Sequence, residues 1–320
     1  MSASQPKLLS VSVDLDGIND HAQIHGLPLF QAEDERVHIA YDRAVPRITA
    51  WAADLGLPLS LFVIGRDLTR QRNVNHLREA HRRGHAIECH SLSHRYNLVR
   101  LEKPLLEREV FGGMDAIFGA VGERPQGFRA PGYIVSDALF DTLEEARVAF
   151  DSSVFSSPFY YGAKALVLAT MPFRSRTSVS IVDHPSVLLA PRDPYRPARN
   201  YRVKAGRGAG RSLIELPIMV SPILGLPIIG TAVGAAPLAI VRLLARMCTQ
   251  RSFMNLELHA MDFLDADDVA PHPLTRAQPE LHTPLAVRLD RLTEFVKIAQ
   301  KAGFASVTLA EAAKRYASFL

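Results

Sequence analysis

The 320-residue chain reads as an α/β protein, a parallel sheet or barrel with helices packed outside it. Two observations predict this class. Short apolar runs of strand length alternate with longer stretches of helical period, and residues able to do chemistry stand where the runs end. Asp14, Asp16, His90, Arg129 and His259 all occupy such ends, which is where sites in parallel α/β folds lie.

The elements follow in order. A strand over 8–14 is followed by a helix over 41–55, a strand over 59–64, a helix over 72–83 and a strand over 86–89. A helix over 104–118, a strand over 127–129, a helix over 136–145 and a strand over 148–151 continue the pattern. It resumes with a strand over 213–216, a helix over 236–248, a strand over 253–258, a helix over 285–302, a strand over 304–308 and a last helix over 309–317. Gly56, Gly84 and Gly303 stand where three of the helices stop and suit a left-handed C-cap. Two segments, 17–40 and 156–212, interrupt the alternation. Loops of that length are usually functional or disordered.

Residues 216–241 carry no charge, and the length alone suits a membrane span. Pro217, Pro222, Pro227 and Pro237, with Gly225, Gly230 and Gly234, break it every few residues, so a buried or substrate-facing stretch is expected instead.

Hydrophobic residues make up 48% and charged residues 22%, enough for a large core and against global disorder. A net charge of +4 falls short of a nucleic-acid binder, and no Lys/Arg run is interleaved with stacking aromatics. Cys89 and Cys248 are the only cysteines and no CxxC occurs, which excludes a disulfide framework and a cysteine zinc site. The first residues enter a strand pattern without the basic and apolar blocks of a signal peptide, so a cytoplasmic location is expected.

Asp14 and Asp16 stand two residues apart in VSVDLDG, a spacing that points both carboxylates one way at a strand end. Two such charges need a cation or a proton between them; the alternative is a surface turn. His90 and His94, in ECHSLSH, have the spacing with which one helical turn offers two imidazoles to one ion. His21/His25 and His81/His85 share that spacing. The latter pair sits at a helix end where a solvated or capping role fits. What favours His90/His94 is the short apolar strand before them and the small hydroxylated residues around them, able to hydrogen-bond the rings. Arg129, in FRAPGY, can hold a carboxylate with its planar fork, and the Pro-Gly turn after it can aim backbone N–H groups at an oxyanion; a plain turn is the alternative. His259 ends the run FMNLELH, with Asp262 three residues on, and can protonate a leaving amine or simply be hydrogen-bonded.

These four elements, in this order, resemble the polysaccharide deacetylase family of NodB-homology, carbohydrate esterase 4-like enzymes. LFVIG at 61–65 resembles the family's second strand, GHAIE at 84–88 the run before its histidines, and Asp151-Ser152-Ser153 the segment after its fifth strand. The resemblance covers residues 8–155 and 253–313. It implies a distorted (β/α) barrel of NodB type: one domain over 1–320, with insertions at about 17–40 and 156–212. It implies a general base in Asp14, oriented by Arg129, and metal ligands in Asp16, His90 and His94. His259 would be the general acid, with an oxyanion site at Gly132 or Tyr133. The implied cofactor is one divalent ion, zinc first, with iron, cobalt, nickel and manganese as alternatives. The implied reaction removes an N-acetyl or N-formyl group from an amino sugar or glycoconjugate, a lipid-linked one included.

The chain departs from the family's pattern in three places. Leu15 separates Asp14 from Asp16, a spaced form that resembles an intracellular branch acting on small amides, imides or lipid-linked sugars. Gly132 replaces an aromatic, and Asp151-Ser152-Ser153 lacks the family's Asp-x-x-Asp-Trp. A hydrolase of a small amide or cyclic imide, allantoinase- or imidase-like, is therefore the second reading, and a catalytically dead binding module the third. Asp20, His21 and His25 lie close enough to the aspartates to be alternative ligands or substrate contacts. Within 156–212, Arg174, Arg176, Arg192, Arg196, Arg199, Arg202, Lys204, Arg207 and Arg211 face only Asp183 and Asp193. Followed by the apolar stretch, they would suit a phosphate-bearing lipid carrier and peripheral contact with a membrane; a solvated loop ahead of core strands is the alternative.

Overall fold

A computed structural model describes residues 5–174, 176–206 and 209–320. Among them eight strands form one sheet. They are β1 (Leu8–Asp14), β2 (Leu59–Val63), β3 (Ala86–Cys89), β4 (Gly127–Phe128), β5 (Phe150–Asp151), β6 (Ile214–Glu215), β7 (Phe253–His259) and β8 (Ala305–Ser306). The spatial order is β6-β5-β4-β3-β2-β1-β7, with β8 on the first residues of β1, and every pairing is parallel.

The helices are α1 (Ile18–Ile24), α2 (Val45–Asp54), α3 (Gln71–Arg82), α4 (Lys103–Val121), α5 (Asp137–Glu145) and α6 (Pro158–Thr170). After β6 come α7 (Gly230–Ala235), α8 (Leu238–Cys248), α9 (Ala266–Val269), α10 (Leu274–Ala277), α11 (Leu285–Lys301) and α12 (Leu309–Ala317). The architecture is the distorted (β/α) barrel that the resemblance implied.

Alternation along the strands decides what the barrel holds. In β1, Ser10, Ser12 and Asp14 alternate with Leu9, Val11 and Val13, and in β7 Asn255, Glu257 and His259 alternate with Met254, Leu256 and Leu258. The two polar rows meet inside the barrel, where Ser12 Oγ donates to Asn255 Oδ1 at 3.1 Å. The apolar rows face the helices. Where β1 and β7 begin, Leu8 and Phe253 pack with Leu309, Ala312 and Tyr316 of α12, each such burial contributing about 2 kcal/mol. That leaves the opposite end, where β1 and β7 stop at Asp14 and His259, for chemistry.

Residues 216–241 do not form a long helix, and among the described residues no helix is long and apolar enough to cross a membrane. Instead the first part closes the wall between β6 and β7. Met219 N–H donates to the Asn255 carbonyl at 3.2 Å and Ile229 bridges Glu257. Ile218, Met219, Val220 and Ile228 are buried there.

The interrupting segments carry structure that the sequence pattern hid. Residues 17–40 contain α1, and residues 156–212 contain α6. The helix expected over 41–55 begins as a π turn at Ala40–Ala44 and becomes α-helical at Val45, because Pro46 has no N–H to close a normal first turn. The second segment's arginines serve partly as struts. Arg211 is buried and donates to Asp141 at 2.6 Å and Glu144 at 3.0 Å on α5, and Arg196 donates to the carbonyls of Arg211 and Ser212. Arg207 and the side chain of Arg174 lie outside the described residues.

Candidate active site

The site is assembled from the carboxyl ends of β1, β3, β4 and β7. Asp14 is the last residue of β1, level with Phe62 of β2 on one side and His259 of β7 on the other. Arg129 follows β4, fully buried. Its Nη1 donates to Asp14 Oδ1 at 2.6 Å, its Nη2 to Ser12 Oγ and Ser152 Oγ at 2.9 Å, and its Nε to the Ser152 carbonyl at 2.8 Å. The guanidinium also lies 4.1 Å from the ring centre of Phe62. One Asp14 oxygen is thereby fixed, and the other, Oδ2, faces the histidines, 3.9 Å from His90 Nε2.

Asp16, His90 and His94 converge. Asp16 Oδ1 is 3.3 Å from Nε2 of both His90 and His94. The two histidines are not on a helical turn, as their spacing had suggested. His90 directly follows β3, and the chain turns through left-handed Ser91 (φ 65°) and His94 (φ 57°). The loop is clamped from both sides. Leu92 N–H donates to the Glu109 carbonyl of α4, the Glu109 carboxylate takes Ser93, and the N–H groups of Gly65 and Arg66 hold the carbonyls of Ser91 and Leu92. Gly113 of α4 makes this seat. A Cβ there would lie 2.8 Å from Cys89 Sγ and 2.8 Å from the Ser91 carbonyl carbon.

Each ring is oriented from behind. His90 Nδ1 lies 2.8 Å from the Arg129 carbonyl, which can only accept, so Nδ1 carries the proton and Nε2 offers a lone pair to the site. His94 Nδ1 faces Asp20 Oδ1 at 3.4 Å, and Asp20 is held in turn by Arg66. Asp20 thus stands behind His94, outside the converging trio.

The trio suits a divalent cation. Asp16 Oδ1 and both ring nitrogens of His94 are buried without a hydrogen-bond partner, and the ligand atoms of Asp16, His90 and His94 lie within 4.8 Å of one another. Burial would raise the Asp16 carboxyl, but His94 and His90 hold it well below the usual carboxylate range. Burial would lower His94, yet Asp16 and Asp20 push it up to about 10, so the cluster favours added positive charge. Two imidazoles and a carboxylate form a donor set of the catalytic kind.

His259 faces this trio from β7. Its Nε2 is 3.2 Å from the Tyr133 hydroxyl and 3.9 Å from Asp16 Oδ2, and its Nδ1 is 3.2 Å from Glu257 Oε1. Burial would lower the imidazole, but Glu257 first, then Asp16 and Asp14, hold it up at about 9. Sequence reasoning missed Glu257. The available signal was its place two residues before His259 in a buried strand, on the same face. Asp262, noticed from sequence, instead accepts the His259 backbone N–H at 2.8 Å.

At the expected oxyanion turn, Gly132 (φ 65°) and Tyr133 (φ 61°) are both left-handed. The Tyr133 N–H donates to the Ala130 carbonyl at 3.0 Å, so that donor is taken up within the turn and the residue presents its hydroxyl instead. Gly132 and Tyr133 line a cavity of about 280 Å³ together with Asp14, Asp16, His90 and His259. α6 roofs it with Tyr160, Ala163, Lys164, Val167 and Leu168, none of which the sequence singled out. Lys164 is the one Lys/Arg side chain among the described residues of its lining, so the insertion's arginines do not supply the cations there. His21 and His25 line it too, His25 bonded to Gln278 at 2.9 Å and His21 pushed down to about 4 by burial. His81 and His85 lie elsewhere, facing Glu123 and the Leu59 N–H.

Fold and site together define a parallel α/β barrel with buried carboxylates and imidazoles at its strand ends. Residues 32–150 match the family model described as polysaccharide deacetylase, and the fold is shared with solved structures described in the same way. A Mycobacterium smegmatis structure described as a polysaccharide deacetylase is similar at 20% identity and TM-score 0.60, covering 100% of this chain and 93% of that one. A Pseudomonas aeruginosa PAO1 structure described in the same way is similar at 12% identity and TM-score 0.58, covering 97% and 91%. A PuuE allantoinase is similar at 13% identity and TM-score 0.60, covering 98% and 92%. Likeness at these identities is likeness of fold. No curated protein matches the chain. The family match supports a hydrolase of the deacetylase type, acting on an amide bond.

Proposed function

We propose that the protein is a metal-dependent hydrolase that removes an N-acetyl or N-formyl group from an amino sugar or glycoconjugate. The observation that carries this reading is the meeting of three kinds of group at one cavity: the Asp14 carboxylate fixed by Arg129, the convergent atoms of Asp16, His90 and His94, and the His259 imidazole backed by Glu257. A divalent ion, zinc first among the candidates, held by the trio would lower the pKa of a water and polarise the acyl oxygen.

The chain's own residues supply the rest. Arg129 occupies Asp14 Oδ1 and aims Oδ2 into the cavity, where it accepts the proton of the attacking water. His259, kept protonated by Glu257, donates from Nε2 to the departing amine nitrogen, and the Tyr133 hydroxyl beside it fixes the ring's direction. Tyr133 and Gly132 line the cavity, where they would face the acyl oxygen. A cavity of about 280 Å³ favours one acyl-bearing unit over a run of polymer, and Ile24, Val167, Leu168 and Ile229 in its walls favour an apolar portion next to it. The same size supports the second reading, a small amide or cyclic imide.

Two measurements test the proposal. The purified chain, loaded with zinc, is assayed for acetate and formate release from N-acyl amino sugars and for ring opening of cyclic imides; release is expected, and ring opening alone would replace the first reading by the second. Asp14→Asn is expected to lower kcat by about a thousandfold or more while retaining the metal. Loss of the metal from that variant would overturn the roles given to Asp14 and Asp16, and a wild-type chain that takes up no divalent ion would overturn both readings.

A further inference from the structure

α6 has an unusual exterior. Its sequence, PFYYGAKALVLAT, is apolar, and none of its residues is buried. The exposed positions recur with helical period at Phe159, Gly162, Ala163, Leu166, Val167 and Ala169, and no charged residue is among them. Phe159 is 52% exposed, Leu166 66% and Val167 50%. The outer face of a water-facing helix carries charged and polar residues. Here the only charged residue, Lys164, turns inward and donates to the Gly132 carbonyl at 3.1 Å.

The apolar surface extends beyond the helix. Phe173, just after it, is 90% exposed. At the other end Ser157 Oγ donates to the Gly225 carbonyl at 2.8 Å, which ties α6 to the loop carrying Ile223, 77% exposed, and Leu224, 58% exposed. Ala163 and Val167 belong both to this surface and to the cavity lining, so the patch adjoins the cavity on the α6 side. Cations flank it. Arg176 shares a surface depression with Leu166 and Val167, and Arg192 and Pro158 both lie against Gly225. Residues 156–212 hold ten Lys/Arg and two Asp, and one of those acids, Asp193, is paired with Arg251.

We propose that this face docks on an anionic lipid bilayer, with the α6 stripe in the acyl boundary, Arg176 and Arg192 at the phosphates, and the cavity mouth against the membrane. A second copy of the chain fits less well, because it would seal the cavity's entrance and bring two strongly basic segments together. The docking concerns binding alone and holds whichever amide the site cleaves.

The test is co-sedimentation with vesicles of phosphatidylcholine, alone and mixed with phosphatidylglycerol. The wild-type chain is expected to bind the mixed vesicles, less so at high salt, and Phe159→Glu/Leu166→Glu to bind about tenfold more weakly or worse with an unchanged Tm. Arg176→Glu/Arg192→Glu, which leaves the helix intact, is expected to weaken binding to the mixed vesicles by a similar factor. A wild-type chain that stays in the supernatant with both vesicles overturns the proposal. So does undiminished binding by both variants, or a dimer in light scattering that the α6 substitutions abolish.

Discussion

Glu257 shows how single residues set the chemistry of this site. It sits in the barrel interior with both carboxylate oxygens lacking a hydrogen-bond partner of good geometry, 3.2 Å from His259 Nδ1. In that position its effect on the imidazole is electrostatic. A folded-state value raised to about 9 keeps His259 protonated through neutral pH, so kcat/KM is expected to fall on the alkaline side as pH rises through about 9. Glu257→Gln keeps the shape and removes the charge. Its alkaline limb is expected to move down by on the order of one pH unit or more. A pH profile identical to wild type would mean that Glu257 is only structural. Arg129 and Asp14 form the complementary case, a buried pair in which Nε and Nη2 of the guanidinium make three further hydrogen bonds, so the charge is compensated rather than stranded.

At the scale of elements, the site depends on how closely a helix approaches a loop. The 90–94 turn adopts two left-handed non-glycine residues, each costing about 1 kcal/mol, and survives because α4 and the turn at Gly65–Thr69 clamp it. Gly113 permits that approach. Gly113→Ala is expected to displace the turn, weaken divalent-ion affinity by about tenfold or more and lower Tm by a few degrees, measured by metal titration and calorimetry. Unchanged affinity would show that α4 does not position His90 and His94. α6 works at the same scale in the opposite sense: its inner face completes the cavity, and its outer face has no partner among the described residues.

For the whole molecule, the polar interior of the barrel makes stability depend on pH. Glu88 of β3 is buried and accepts the N–H groups of Gln126 and Gly127 on one oxygen, yet burial raises it from 4.5 to about 8. A carboxyl raised in the folded state contributes stability that is fully present below its unfolded value, near 4.5, and is lost as pH rises through about 8. Tm is therefore expected to decline between about pH 5 and 8. Glu88→Gln, whose amide oxygen can accept both N–H groups, is expected to flatten that decline; an unaltered slope would assign it to other groups. Asp151 and Glu215, a buried acid pair both raised first by burial, act in the same direction.

Much of this was legible in the chain itself. The order of strands followed from period, since 8–14 and 86–89 read directly as alternating or short apolar runs, and the helix ends followed from glycines that only a left-handed cap explains, as at Gly56 and Gly84. The aspartate and histidine motifs stood out because they combine reactive residue types with strand-end positions. Local pattern could not reveal α6, because a helix apolar on both sides has no amphipathic period and resembles core or loop. Glu257 was overlooked although it stands two residues before His259 on the same strand face, because a carboxylate within a largely apolar run marks a site only once the barrel interior is seen. The left-handed path from His90 to His94 was equally hidden, since their spacing suits a helix. By itself the sequence determined which groups end the strands, because strand period and residue type are local properties. Only the tertiary structure decided how His90 and His94 meet Asp16, what roofs the cavity and how Arg129 reaches Asp14. Those depend on distances between residues far apart in the chain, and packing alone sets them.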